Sequence, residues 1–299
     1  MEQDVLKQQM KERQERIEEI LTEYLPTEPS FQKTIFDAME YSLMGGGKRL
    51  RPMMLLEAYK LFGGEDEKIA APFMAAMEMI HTYSLVHDDL PAMDNDAYRR
   101  GRKTTHIVYG EDMGILAGDA LLNYAYETAA ASFAQGTHLA ESARAMQILT
   151  RKAGIYGMVG GQVVDVERTG QPLTPEVIEF IYRLKTGALL EASLMVGAAL
   201  AGADDAQIRR MEQVGYNVGM AFQIQDDILD LTSTTEELGK PVHSDEKNEK
   251  NTYVSIFGME KAQKAVEEYS SKAVELLEEI PQENPFLNAL VRYLVHRKY

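Results

Sequence analysis

Two long runs restrict the fold more than any other part of this chain: GILAGDALLNYAYETAAASFA (114–134) and KTGALLEASLMVGAALAGA (185–203). Both carry Ala and Gly at close spacing, and their apolar residues wrap most of a helical circumference instead of forming one stripe. Such helices belong inside a bundle, where small residues permit tight helix–helix approach. Elsewhere Ala, Met, Leu, Glu and Lys dominate, and the alternating Val/Ile/Thr runs that make strands are missing. The fold class is therefore all-α.

Proline and glycine punctuate the helices. The pattern predicts an amphipathic helix over about 4–25, closed by Pro26 and Pro29, and a second over 30–44, ended by Gly45-Gly46-Gly47. A third starts after Arg51, with Pro52 suited to a first turn, and ends at Gly63-Gly64. Another runs from Lys68 to Asp89. Further helices cover about 114–134, 138–153, 174–201 and 204–230, and two more come after Met259. Connections are short except for the polar stretch 233–250, and no domain linker is apparent, so 1–299 reads as one large helical domain.

With 299 residues, 45% of them hydrophobic, the chain can bury a large core. It has no cysteine, which excludes disulfides and thiolate chemistry and fits a reducing compartment. The N-terminus is too charged for a signal peptide, and no apolar run approaches the ~18 residues of a membrane span, so a cytoplasmic protein is expected. A formal charge of −16 argues against nucleic acid as a partner, while leaving room for a small anion held by focused cations.

Three motifs carry chemistry. GGGKRLRP (45–52) combines an open backbone with Lys48 and Arg51 before a helix start; it reads as a phosphate site or as a solvated basic turn. In DDLPAMD, Asp88 and Asp94 would lie about 120° apart on a straight helix. With Asp89 they share one site only if the chain bulges, for which Pro91 supplies the reason; a solvated acidic turn is the alternative. In FQIQDDILD, Asp226 and Asp230 are four apart on one face of an apolar helix, where like charges cost stability. Hard oxygen donors without cysteine indicate Mg²⁺ or Mn²⁺, and Mg²⁺ usually binds through a few carboxylates plus substrate phosphates. Arg99, Arg100, Lys185 and Lys240 fit a phosphorylated ligand, although Lys185 could also be a snorkelling surface lysine.

Taken together, GGGKRLRP, IHTYSLVHDDLPAMDNDAYRRG, ILAGDAL, GGQVVD, LKTGALL, FQIQDDILD and LGK, in that order, resemble the trans-isoprenyl diphosphate synthases. The resemblance spans nearly the whole chain and implies an all-α bundle around a deep central cavity, usually a homodimer. It further implies that Asp88, Asp94 (with Asp89 nearby), Asp226 and Asp230 bind Mg²⁺, roughly two or three ions, with Mn²⁺ possible. These ions would hold the diphosphate of dimethylallyl or geranyl diphosphate. Arg99, Lys185 and Lys240 would contact that diphosphate, with Thr186 and Gln223 beside the ionising carbon. Lys48, Arg51, His81 and Arg100 would hold isopentenyl diphosphate.

The expected reaction is head-to-tail condensation to farnesyl diphosphate. Tyr83, five residues before Asp88 and so roughly 7.5 Å deeper along the helix, would stop chain growth beside the small Ser84. His87 is given no role. A geranylgeranyl product is the runner-up. A class I terpene cyclase is disfavoured by GGGKRLRP, and a non-catalytic subunit by the two intact aspartate motifs. A di-iron carboxylate bundle lacks its Glu-x-x-His pairs. Departures from the pattern are His243 and Glu249 where glycines are common, and Lys103 where proline is common; none touches the metal ligands.

Overall fold

The computed structural model describes residues 3–27, 30–232 and 251–295. Its helices are α1 (Gln3–Glu23), α2 (Lys33–Leu43), α3 (Leu50–Leu61), α4 (Glu67–Asp88), α5 (Thr105–Tyr109), α6 (Glu111–Ala130), α7 (Leu139–Ala153), α8 (Met158–Glu167), α9 (Pro175–Ile181), α10 (Ala188–Leu200), α11 (Asp205–Thr232), α12 (Tyr253–Phe257), α13 (Met259–Glu278) and α14 (Pro285–Val295). A two-stranded hairpin, β1 (Tyr98–Arg99) and β2 (Arg102–Lys103), is the sole sheet among the described residues.

The two small-residue runs fare differently: α10 is buried as its composition requires, whereas α6 buries one stripe (Gly114, Ala117, Gly118, Leu121, Ala125) and exposes Ile115 and Leu116. Every residue of α10 is buried, and it packs against α3, α7 and α11. At Gly197 a Cβ would collide with the Leu55 carbonyl of α3, so these two backbones touch. α6 lies along α4. α4 is apolar enough (mean hydropathy 1.2) to pass for a membrane span by length and composition, contrary to the sequence expectation, yet 78% of that stretch is buried inside the bundle.

One large apolar cluster joins α1, α3, α4, α6, α7, α10, α13 and α14. A smaller one, with Ile178, Ile224 and Val266, joins α9, the end of α11, α12 and α13. α11 feeds both, through Met211 and Val218 to the first and Met220 and Ile228 to the second.

The expected helix over 174–201 is present, but it is not α-helical throughout. α9 passes into a π-helical turn, Tyr182–Gly187, before α10 begins. Such a turn inserts a residue and rotates the helix beyond it, which redirects side chains at that point. Sequence reading also missed α8, α5, α12 and the hairpin, all ten residues or shorter, where periodicity has too few turns to register.

Candidate active site

α4 delivers the first acidic cluster. It ends at Asp88, and the Asp89 amide closes its last turn on the Leu85 carbonyl at 3.0 Å. Pro91 comes next but one, and the chain leaves the helix instead of bulging within it. A wide loop then returns, in which the Asp94 amide donates to the Asp88 carbonyl at 2.8 Å. Main-chain closure therefore brings Asp94 beside Asp88. The Asp88 carboxylate accepts from Gln162 Nε2 of α8 at 2.6 Å.

Asp89 departs from its expected place. It is 4% exposed, and both carboxylate oxygens are engaged by the Arg99 guanidinium, at 2.8 and 3.0 Å from Nε and 2.7 Å from the terminal nitrogen. Neighbouring residues on a helix end point about 100° apart, so one of this pair faces the cavity and the other the packed hairpin. Asp89 holds Arg99 in place.

The hairpin that carries Arg99 and Arg100 turns on Arg100-Gly101, both at positive φ (54° and 74°). This is the two-residue turn that matches strand twist, with Arg99 paired to Arg102. Arg100 donates to the Gly46 carbonyl of the glycine loop. Gly47 has φ 127° and lies so near that guanidinium that any side chain would overlap it. The positive φ is what favours glycine there, and a side chain would also have to displace the guanidinium.

Of the cations in GGGKRLRP, Arg49 is not at the surface. It takes a left-handed conformation (φ 50°), is 2% exposed, and bonds Glu78 of α4 and the Leu43 carbonyl, each at 2.8 Å. That pair pins the loop two residues before Arg51, whose guanidinium lies 3.4 Å from His81 Nε2. Lys48 is exposed on the same loop.

Burial pulls the Arg51 guanidinium down to about 10, Glu78 opposing and Arg100 adding to the shift. Burial, followed by Arg51, Arg100, Arg99 and Arg49, holds His81 well below 6.5. Arg51 Nε has no hydrogen-bond partner among the described residues. A desolvated cation with an unpaired donor, set among other cations, favours a nearby anion by its electrostatics.

The π-turn supplies the opposite wall. Lys185 bonds Asp165 of α8 at 2.6 Å, and the Thr186 hydroxyl donates to Gln223 Oε1 of α11 at 2.8 Å. One turn beyond Gln223 comes Asp226, half-buried, and two turns beyond Gln223 comes Asp230, 2% exposed. Between them Asp227 is also buried, and its Oδ2 accepts from the Tyr182 hydroxyl at 2.5 Å and the Tyr253 amide at 2.8 Å. Asp227 therefore ties α11 and the π-turn to the start of α12. With Asn251, Thr252, Lys185 and Gln223 it lines a polar pocket of about 120 Å³.

Between these walls lies an apolar cavity of about 680 Å³. Arg51, His81, Asp88, Lys185 and Thr186 border it, and Tyr83, Ser84, Ile115, Val163 and Leu189 form its sides. Tyr83 is 7% exposed, and burial followed by Tyr126 and Asp88 pushes its phenol up to about 12. Ser84 turns its hydroxyl back to the His81 carbonyl at 2.8 Å.

The structure thus gathers Arg51, His81, Tyr83, Ser84, Asp88, Lys185 and Thr186 around one cavity, with Gln223 in the adjoining polar pocket. Arg99 and Arg100 line a separate small pocket with Asp89. Lys240, His243 and Glu249 lie outside the described residues. Gln162 and Asp165 were missed, although their three-residue spacing in GGQVVD puts both on one helix face.

Among the described residues no three carboxylates or histidines converge as a metal cage. The donor chemistry nonetheless suits Mg²⁺: every candidate is a hard oxygen, and this ion keeps waters and shares its coordination with substrate phosphates.

Fold and site together define an all-α bundle of the isoprenoid synthase type, with an apolar cavity below a pole of carboxylates and cations. The chain belongs to the polyprenyl synthetase family, whose profile matches residues 32–285. It is 43% identical to a geranylgeranyl diphosphate synthase of Cyanophora paradoxa, over 96% of this chain and 94% of that one. It is 42% identical to a farnesyl diphosphate synthase of Geobacillus stearothermophilus, over 85% of each. An FPP/GFPP synthase from Zymomonas mobilis superimposes with a TM-score of 0.86 at 32% identity, covering 97% of this chain and 98% of that one. The protein is a prenyltransferase that elongates trans-prenyl chains.

Proposed function

We propose that this enzyme condenses isopentenyl diphosphate with dimethylallyl and then geranyl diphosphate and stops at farnesyl diphosphate. The observation that carries the product assignment is Tyr83, whose ring closes the cavity wall five residues below Asp88. The second reading, a geranylgeranyl product, is favoured by the identity to the Cyanophora enzyme. Replacing Tyr83 with alanine is expected to lengthen the chains. Unchanged chain lengths would remove Tyr83 from the gauge.

In this proposal Lys48, Arg51, His81 and Arg100 hold the isopentenyl diphosphate anion, whose arrival gives the desolvated Arg51 its missing acceptor. Lys185 and Arg99, with Lys240, face the allylic diphosphate. Thr186 and Gln223, already bonded to each other, flank the ionising carbon. Asp88, Asp94, Asp226 and Asp230 hold Mg²⁺, which when bound supplies positive charge against the leaving diphosphate. The geranyltransferase from Helicobacter pylori, 32% identical with a TM-score of 0.82 over 94% of this chain, was solved with magnesium and isoprenyl diphosphate.

Heterolysis of the allylic C–O bond leaves a carbocation and diphosphate. The isopentenyl double bond attacks that carbon, and a proton leaves to the released diphosphate, so no protein base is needed. The cavity walls exclude water, which would otherwise capture the cation.

We further assign one domain across 1–299 and a homodimer. Ile107, Val108 and Leu116 expose 44–48% of their surface on α5 and α6, where a second copy would cover them. The absence of cysteine supports a cytoplasmic location.

A further inference from the structure

We infer that His87, seated against Gly118, is a second determinant of product length, working as a pair with Tyr83; this rests on the reading of the apolar cavity as the channel for the growing chain. His87 lies one turn after Tyr83 on α4, and the two rings meet edge to face, 5.8 Å between centroids and 83° between planes. His87 Nε2 lies 3.0 Å from the Ile115 carbonyl of α6. A carbonyl only accepts, so this contact puts the proton on Nε2. The Asp119 carboxylate lies 3.8 Å from the same nitrogen.

The imidazole fits this close to α6 because residue 118 is glycine. A Cβ there would stand less than 3.0 Å from Nε2, Cδ2 and Cε1 of His87. Those ring atoms are the movable end of a side chain, whereas both helix backbones are fixed by packing. His87, Tyr83 and Ile115 all border the cavity. The wall between α4 and α6 is therefore an edge-to-face Tyr83–His87 pair whose depth is set from behind by the missing side chain at residue 118. A methyl group at 118 displaces the imidazole away from α6, and the open space on that side is the cavity. Removing the imidazole has the opposite effect: it enlarges the cavity and leaves the Tyr83 ring without its neighbour.

The test sizes the dephosphorylated products of wild-type, Gly118→Ala, His87→Ala and double-variant enzymes given labelled isopentenyl diphosphate and dimethylallyl diphosphate. Relative to wild type, Gly118→Ala is expected to shift the ratio of geranyl to farnesyl chains upward by about tenfold or more, the low end of what one misfit methylene costs in a pocket. His87→Ala is expected to shift products toward geranylgeranyl. In the double variant the shortening disappears, because the added methyl meets no ring.

Unchanged lengths in both single variants, or shortening that persists in the double variant, would overturn the inference. A Gly118→Ala enzyme without any condensation is decided by the double variant: recovered condensation supports the clash, and none recovered overturns it. A wild-type product other than farnesyl diphosphate refutes the product assignment alone, since every shift is read against wild type.

Discussion

Replacing Asp227 with alanine separates the two roles packed into the second acidic motif. The carboxylate is 2% exposed, and its Oδ2 takes the Tyr182 hydroxyl at 2.5 Å and the Tyr253 amide at 2.8 Å. A buried donor left without its acceptor costs about 1–3 kcal/mol. The Tyr253 amide keeps a weaker partner, the Tyr182 oxygen at 3.1 Å. The combined loss is therefore expected near 2–4 kcal/mol, the lower part of the range for two orphaned donors.

Urea denaturation reads this directly. At a slope of about 2–3 kcal/mol per molar, the midpoint falls by roughly 1–2 M. Tyr182→Phe removes one donor and keeps the carboxylate on the Tyr253 amide, so its loss is about 1–2 kcal/mol. Hydrogen exchange at the Tyr253 amide speeds up in Asp227→Ala and stays slow in Asp226→Ala. The latter loses condensation activity with a smaller change in midpoint. An Asp227→Ala protein with the wild-type midpoint and slow exchange at Tyr253 would refute the anchoring role.

Three further outcomes are expected. His81 has a folded pKa held below its ordinary 6.5, so the unfolded chain binds the extra proton and stability falls as pH drops through 6.5; urea midpoints at pH 7.5 and about 5 fall further in wild type than in His81→Gln. Glu78→Ala strands the buried Arg49 charge and costs about 3–5 kcal/mol in the same assay, against under 1 for an exposed control such as Glu15→Ala. Leu116→Arg puts a charge on the apolar α6 face and converts a dimer to monomer in sedimentation, while a dimer that persists would remove that face from the interface.

Much of this architecture was readable because it rests on composition and spacing. α10 had to be central, since no arrangement leaves ALLEASLMVGAAL a solvent face, and the DDxxD spacing on α11 put Asp226 and Asp230 on one side. What escaped was set by local geometry that residue identity does not encode. The π-turn at Tyr182–Gly187 redirects Lys185 and Thr186, and the one mark of it in KTGALL is Gly187, a small residue among many in that run.

Asp88 and Asp89 are chemically identical, and only the end of α4 and the nearby hairpin decide that one borders the cavity while the other is bound to Arg99. Arg49 is one of three cations in GGGKRLRP, and nothing in that run sets it apart. It is drawn inside by Glu78, an acid in the middle of an apolar helix that could have signalled a buried partner. Gln162 and Asp165 are polar residues on a short helix, and they become informative only when Asp88 and Lys185 are seen opposite them.

The most direct measurement is incubation of the wild-type protein with labelled isopentenyl diphosphate, geranyl diphosphate and Mg²⁺, followed by sizing of the chains, with a parallel sample in chelator. Elongation that halts at Tyr83 predicts farnesyl chains as the main product and no condensation once Mg²⁺ is removed. Predominant geranylgeranyl chains, or no condensation with Mg²⁺ present, would contradict it.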